Sequence, residues 1–267
     1  MSQDQSEAKH DAISIVMLAQ PRFPDGPTLL AAIRRRVPDF PDPVSGDPGS
    51  ALVTFYRRQM CTMMFMGVPN PLGPDESCIR SAWWWRDAWE QLERRQAHVI
   101  VSVGGAINPH ECYGTLARLV AAVVETTPAI GVSWSAADAV WPADMFRNSV
   151  DQAGDGLPLS QLVSIKFGQD TQYPRPDGGE AILAMTWGLA AFGLMEIEVR
   201  GFAGAADKLA TTLLDLAAYL ITSGPVIQDG NTVGPDVQTK FLVRHENSTL
   251  APGRKVYRLY MTGTPAR

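Results

Sequence analysis

A histidine, a glutamate and a cysteine stand side by side at His110, Glu111 and Cys112, and these residue types could supply a base and a nucleophile. Adjacent residues on a helix point in different directions, so this spacing does not form a catalytic dyad. Asn108 and Pro109 precede the triplet, and Glu111 follows the asparagine by three positions. An N-cap residue, a proline at the first helical position and a glutamate two positions later are typical of a helix start. The triplet therefore predicts a helix N-terminus rather than a catalytic centre.

The patterns associated with metals and phosphates are incomplete. No two histidines are spaced four residues apart and no H-E-x-x-H motif occurs, which disfavours a zinc site. The four histidines are His10, His98, His110 and His245. Gly104 and Gly105 end a predicted strand, but neither a G-x-G-x-x-G motif nor a P-loop lysine follows, so a tight turn is expected there. We therefore predict no catalytic residues, no metal site and no cofactor.

Two carboxylates, Glu196 and Glu198, alternate along a predicted strand and so point to the same face. A carboxylate pair of this kind could do acid–base work or bind a basic partner. The simpler interpretation is a solvated outer face, with Ile197 and Val199 directed inward. The alternation favours the solvated face.

Trp84 is a large aromatic residue on the polar side of a helix predicted over Glu76–Gln96, where it lies near Arg80 and Arg95. A tryptophan in such a position often marks a contact with a partner. It is equally compatible with coverage by the proline-rich segment that precedes the helix, or by the second lobe. Trp84, Arg80 and Arg95, with Glu196 and Glu198, are the predicted partner-binding residues.

Methionine is concentrated in the stretch 59–66, at Met60, Met63, Met64 and Met66. Methionine fills irregular cores, and it also lines adaptable binding surfaces. Core filling is the favoured interpretation of this stretch.

The order of predicted helices and strands indicates an α+β fold. Neighbouring strands without a helix between them require antiparallel pairing in places, so we expect mixed, largely antiparallel sheets with helices packed on them. A Gly- and Asp-rich stretch at Asp151–Pro158 is the expected boundary between two such lobes. The predicted organisation is a disordered tail over 1–11, an N-terminal lobe over 12–158 and a C-terminal lobe over 159–267.

Composition limits the classes of partner and compartment. The formal net charge is −5, which disfavours general binding to nucleic acid, because neutralising phosphates requires clustered Lys and Arg. Three cysteines with no C-x-x-C spacing suit a reducing compartment. Neither a secretory signal nor a membrane span is expected, so the predicted location is the cytoplasm. The oligomeric state is left open.

Three segments carry a resemblance to a known family. They are Trp83–Trp85 with Ala97–Val103, Thr186–Val199, and Ala217–Ile221 followed by Gln228–Gly234. Together they resemble the uncharacterised bacterial family labelled domain of unknown function 4261. The resemblance covers mainly Leu159–Met261, with the first lobe similar to the region that usually precedes that domain. It implies no activity and no catalytic residues.

Proteins of this sort are similar to acidic cytoplasmic proteins of bacterial toxin–immunity and secretion loci, type VI secretion among them. The expected function is therefore that of a non-catalytic protein-binding protein, specifically an immunity-type inhibitor of a secreted toxin. Two alternatives remain open: an enzyme or small-molecule binder with a site between the lobes, and a structural subunit of a larger assembly.

Overall fold

A computed structural model describes residues 9–45, 50–173, 179–234 and 240–261 of the 267-residue chain. The chain divides into two compact units, unit 1 (residues 1–161) and unit 2 (residues 162–267). The sequence places this boundary three residues earlier, after Pro158. Each unit carries one sheet with helices, so the fold class is α+β, as predicted.

Unit 1 is built on a six-stranded antiparallel sheet in the order β2-β3-β4-β1-β5-β6. Its strands are β1 His10–Leu18, β2 Ala51–Tyr56, β3 Gln59–Met66, β4 Ala97–Ala106, β5 Ala129–Trp134 and β6 Ala139–Pro142. Its helices are α1 Gly26–Arg36, α2 Ser77–Arg80, α3 Ala88–Leu92, α4 Pro109–Thr126, α5 Ala143–Ala153 and α6 Leu159–Leu162, the last of which crosses the boundary.

Alternation along the central strand shows which face of the sheet forms the main core. Val16 and Leu18 of β1 are fully buried on the face that α4 covers. Helix α4 is buried along most of its length, because it lies between this face and the helices α1 and α5. The helix begins as predicted: Asn108 is the N-cap, and its Oδ1 accepts a hydrogen bond of 2.8 Å from the His110 amide.

The predicted disordered tail over 1–11 is wrong at its last positions. His10 and Asp11 belong to β1: His10 pairs with Ala106, and Asp11 Oδ1 accepts a 2.9 Å hydrogen bond from the Gly105 amide. Residues 1–8 of the predicted tail lie outside the described residues.

Unit 2 has a six-stranded mixed sheet in the order β10-β11-β12-β9-β8-β7, in which β9 and β12 pair in parallel. Its strands are β7 Ser164–Gln169, β8 Ile182–Trp187, β9 Glu196–Phe202, β10 Thr232–Val233, β11 Phe241–Asn247 and β12 Lys255–Met261. Helix α7, Ala206–Ser223, buries Leu209, Leu213 and Leu220, and it ends at Gly224, whose φ is +80°. Among the described parts of both units, no helix has the length and apolarity that a membrane span requires.

Candidate functional site

The face of the unit 1 sheet opposite α4 carries large apolar side chains that remain exposed. Ile13, Phe55, Met60 and Met64 lie on this face, and between 43 and 59% of each residue's surface is accessible. We call these four residues the open face. An antiparallel sheet that meets water on one side normally places polar residues there. The open face is therefore more apolar than such a face usually is, which makes it a candidate interaction surface.

Strand pairing places the four residues of the open face on one side of the sheet, with Thr62 and Ser102 between them. Phe55 lies opposite Met60 across β2 and β3, Met64 lies opposite Ile100 across β3 and β4, and Ile13 pairs with Ser102. The prediction that the methionines fill the core is right for Met63, which is fully buried, and wrong for Met60 and Met64.

The other end of the same sheet face is covered by the segment 77–92. Trp85 and Leu92 of this segment pack with Met17 and Val140 in one apolar cluster. A side chain at Gly131 would bring a Cβ within 2.6 Å of Leu92, so glycine permits this close packing.

The continuous helix predicted over Glu76–Gln96 is wrong, and the position of Trp84 changes with it. The chain forms only the short helices α2 and α3, with turns between them. This break lets the Trp84 ring stack on Trp141, with centroids 4.4 Å apart, while its Nε1 donates to the Val140 carbonyl at 3.0 Å. Trp84 is therefore half-buried and packed inside unit 1.

The two arginines predicted beside Trp84 have different surroundings. Arg95 is half-buried, and its Nε donates to Asn70 Oδ1 at 2.7 Å, which anchors the proline-rich segment before α2. Arg80 is exposed and lines a shallow hollow of about 310 Å³ together with Trp83, Arg86 and Trp89. Arg95 does not line this hollow, although its guanidinium lies over the ring of Trp89, which does.

Glu196 is buried, so the expectation of a solvated strand face is wrong at this position. Only 3% of the residue is exposed. Its Oε2 accepts from the Thr186 hydroxyl at 2.7 Å, and its Oε1 accepts from the Gly188 and Ala190 amides at 3.0 Å each. Burial raises the pKa of Glu196, and these hydrogen bonds offset only part of the effect.

Glu198 is fully buried and lies beside a buried cation, so the solvated face is wrong here as well. Arg258 Nη2 lies 3.0 Å from Glu198 Oε1, and the Ser248 and Thr249 hydroxyls donate to the same carboxylate at 2.5 and 2.6 Å. Ile197 and Val199 are buried too, so both faces of β9 are covered.

A second buried ion pair continues along the same strand. Arg200 forms two hydrogen bonds to Asp170, of 2.6 and 2.7 Å. Burial opposes ionisation of Asp170, but Arg200 and the Gly201 amide together hold the pKa of that carboxyl below its usual value. The sequence analysis missed Asp170, Arg200 and Arg258. The alternation of charges at 196, 198 and 200 is the signal that could have found Arg200, because three charges on one strand face require partners once that face is buried.

These carboxylates are saturated by donors, and neither Glu196 nor Glu198 lines the shallow hollow. The arrangement holds segments of unit 2 together, because Glu198 joins β9 and β12 to the loop that follows β11. A group whose oxygens already accept several hydrogen bonds is poorly placed to accept a proton from a substrate.

A larger cleft of about 590 Å³ lies in unit 1 between the β2–β3 hairpin, the C-terminal end of α1, the first turns of α4 and the loop 155–157. Its charged lining residues are Arg36, Asp39, Arg57, Glu111, Arg118 and Asp155, and His110 lines it as well. The sequence analysis did not predict this cleft, because its wall comes from four separate segments.

The three cysteines are buried free thiols. Burial raises the pKa of Cys61 to about 12 and that of Cys112 to about 11, which leaves little reactive thiolate at neutral pH. Within the described residues, no three His, Cys, Asp or Glu side chains form a group that could hold a metal ion.

Comparison with models of known protein families finds a match within unit 2. Residues 185–260 match the model of the family described as Domain of unknown function (DUF4261). The match runs from within β8 to within β12 of unit 2. No curated protein matches the chain significantly.

The DUF4261 match includes Glu196, Glu198, Arg200 and Arg258, and it ends before the last residue of β12. The open face, the hollow beside Trp83 and the cleft all lie in unit 1, outside the matched residues. The exposed surfaces with binding character are therefore separate in sequence from the DUF4261 domain.

Proposed function

We propose that this chain is a non-catalytic protein-binding protein that recognises its partner through the open face of unit 1. The specific form we propose is an immunity-type inhibitor that binds a secreted toxin in the bacterial cytoplasm.

One observation carries the proposal: four large apolar side chains from β1, β2 and β3 remain exposed on one sheet face. Clustered apolar side chains on a surface are typical of protein interfaces. Aromatic residues and methionine are enriched at such interfaces, and the open face contains Phe55 with Met60 and Met64.

Two further features support a protein as the occupant. Methionine side chains adapt their shape to a partner, which suits recognition of an irregular surface. The net charge of −5 favours encounter with a basic partner, since complementary charge accelerates association. The family resemblance supports the toxin as the partner by analogy only.

The product of the neighbouring gene is the partner to test. We expect the wild-type protein to co-purify with that product and to protect cells that express it. Phe55→Thr combined with Met60→Thr should abolish both effects while leaving the far-UV circular dichroism unchanged, because threonine suits an exposed strand position.

Tyr219→Ser on α7 is the matched control, since Tyr219 is 51% exposed and lies in unit 2. This variant should bind and protect like wild type. The proposal would be refuted by wild-type protein that neither binds nor protects, or by full protection from the double variant.

A further inference from the structure

The unit 1 cleft contains a buried polar group without a partner. Gln59 lines the cleft, only 1% of the residue is exposed, and its Oε1 accepts no hydrogen bond from any described residue. Buried polar groups in folded proteins are nearly always paired, because an unmade hydrogen bond in the interior costs free energy. An acceptor at the wall of a cavity is a position that a ligand donor can satisfy.

The hairpin that carries Gln59 is held in a costly backbone conformation. Arg57 and Arg58 form its two-residue turn, and both have left-handed backbones with φ of +48° and +66°. Glycine or asparagine usually fills such a turn. Non-glycine residues in this region cluster at ligand-binding sites, where the surrounding structure maintains them. The turn directs Arg57 to the cleft, whereas Arg58 does not line it.

Cationic groups converge around Tyr56. Arg57 Cζ lies 5.0 Å from the centre of the Tyr56 ring, and its Nη2 is 3.3 Å from Asp39 Oδ2. Arg118 is anchored from the other side, because its Nη2 donates to the carbonyls of Gly154 and Gly156 at 3.3 and 3.2 Å. Five N–H donors are available on a guanidinium, so both arginines retain donors for a ligand.

The charges in the cleft set the class of ligand. Arg36 is neutralised by Glu125 and Asp151, so it adds no attraction for an anion. Arg57 shares its charge with Asp39 but keeps donors free, and Arg118 has no carboxylate partner among the ion pairs of the described residues, so these two arginines, with the N-terminal end of α4 nearby, are the groups that can meet one anionic group. Asp39, Glu111 and Asp155 also line the cleft and disfavour a polyanion such as a nucleic acid.

We propose that this cleft binds a small molecule with one anionic group, a carboxylate or a phosphomonoester, and a hydroxyl that donates to Gln59 Oε1. The anionic group lies at Arg57 and Arg118. The volume of the cleft falls within the range of small-molecule sites. This site is independent of the open face: Gln59 and Met60 are adjacent in β3, so their side chains point to opposite sides of the sheet.

Calorimetric titration and thermal unfolding of the full chain test the proposal with three probes. Glycerol 3-phosphate and glycerate each combine an anionic group with a hydroxyl, and they distinguish the two anion types. Glycerol has hydroxyls but no charge. We expect one of the two anions to bind at least about tenfold more tightly than glycerol, as one charge-assisted hydrogen bond predicts.

Three variants identify the residues involved. Gln59→Leu should lower the affinity for the anion about tenfold, because the ligand hydroxyl loses its acceptor. Without ligand, this variant should unfold at the same temperature as wild type or higher, since leucine leaves no unpaired oxygen. Arg57→Gln should also weaken binding, whereas Arg58→Gln, at the same turn and with the same left-handed backbone, should not.

Several results would overturn the assignment. If neither anion binds better than glycerol, the cleft is not an anion site. If Arg58→Gln weakens binding as much as Arg57→Gln, the attraction is diffuse surface charge. If Gln59→Leu unfolds at a lower temperature than wild type or fails to fold, the Gln59 carboxamide makes a hydrogen bond within the protein and is not a ligand-binding group.

Discussion

Replacing either of two buried glutamates on β9 with glutamine should change the stability of unit 2 by very different amounts. Glu198 faces the Arg258 guanidinium at 3.0 Å, whereas Glu196 accepts from the neutral donors Thr186, Gly188 and Ala190. Glu198→Gln removes the charge that Arg258 requires. Glu196→Gln removes a charge that burial already disfavours, as its raised pKa indicates. Only the first substitution should destabilise unit 2 strongly.

The magnitudes follow from what each substitution leaves unpaired. Removing one member of a buried ion pair costs about 3–5 kcal/mol, because the other charge stays buried. Among the described residues, the second carboxylate beside Arg258 is Glu246 at 3.5 Å, so we expect a loss of about 3 kcal/mol for Glu198→Gln. A glutamine at 196 can still accept from the Gly188 and Ala190 amides. Its effect should stay within about 1 kcal/mol.

Urea unfolding followed by far-UV circular dichroism measures both effects. At a typical slope of about 1.5–2 kcal/mol per molar urea, a loss of 3 kcal/mol lowers the midpoint by about 1.5–2 M. Hydrogen exchange of the β9 amides assigns the loss to unit 2, which matters because six of the seven tryptophans lie in unit 1 and dominate fluorescence. Equal shifts for the two variants, or a loss below about 1 kcal/mol for Glu198→Gln, would refute the reasoning.

Three other predictions concern pH, backbone and thiols. Burial raises the pKa of Glu196 in the folded state, so this group contributes stability at low pH that is lost as pH rises through the folded pKa. The unfolding free energy of wild type, measured relative to that of Glu196→Gln, should therefore increase from pH 7 to pH 5. Gly188→Ala should cost at least about 2 kcal/mol in urea unfolding, because φ is +125° and the new Cβ would lie 2.3 Å from a backbone carbonyl oxygen; Gly193→Ala, with φ of +72° and open space, should cost less. Iodoacetamide at pH 8 should label Cys61 and Cys112 far more slowly in the native protein than in urea, as mass spectrometry can measure, and equal rates would contradict the raised thiol pKa values.

Local signals were sufficient to predict much of the fold. The start of α4 follows from Asn108 and Pro109, whose capping role depends only on residues within the first turn. Helix α7 over Ala206–Ser223 likewise has local signals, namely leucines spaced along one face and Gly224 at its end. The α+β class followed from the order of the predicted helices and strands along the chain.

The errors occur where distant segments decide the outcome. The helix predicted over Glu76–Gln96 is interrupted at Trp84, whose Nε1 donates a hydrogen bond to the Val140 carbonyl, 56 positions away. Alternation correctly placed Glu196 and Glu198 on one face, but it could not show that Ser248, 50 positions from Glu198, covers that face. Likewise, the exposure of Met60 and Met64 depends on how far the segment 77–92 extends over the sheet, which no local pattern specifies.

The central position of β1 has a consequence for synthesis of the chain. β1 is the first described strand to leave the ribosome, yet both its neighbours, β4 and β5, come much later in the sequence. One hydrogen-bonding edge of β1 therefore stays unsatisfied until β4 has emerged, and the other until Trp134, the last residue of β5, has emerged. Long-range pairing of this kind slows folding and leaves an apolar strand available for wrong association. During synthesis β1 is therefore an apolar strand whose partners are missing until much later residues have been made.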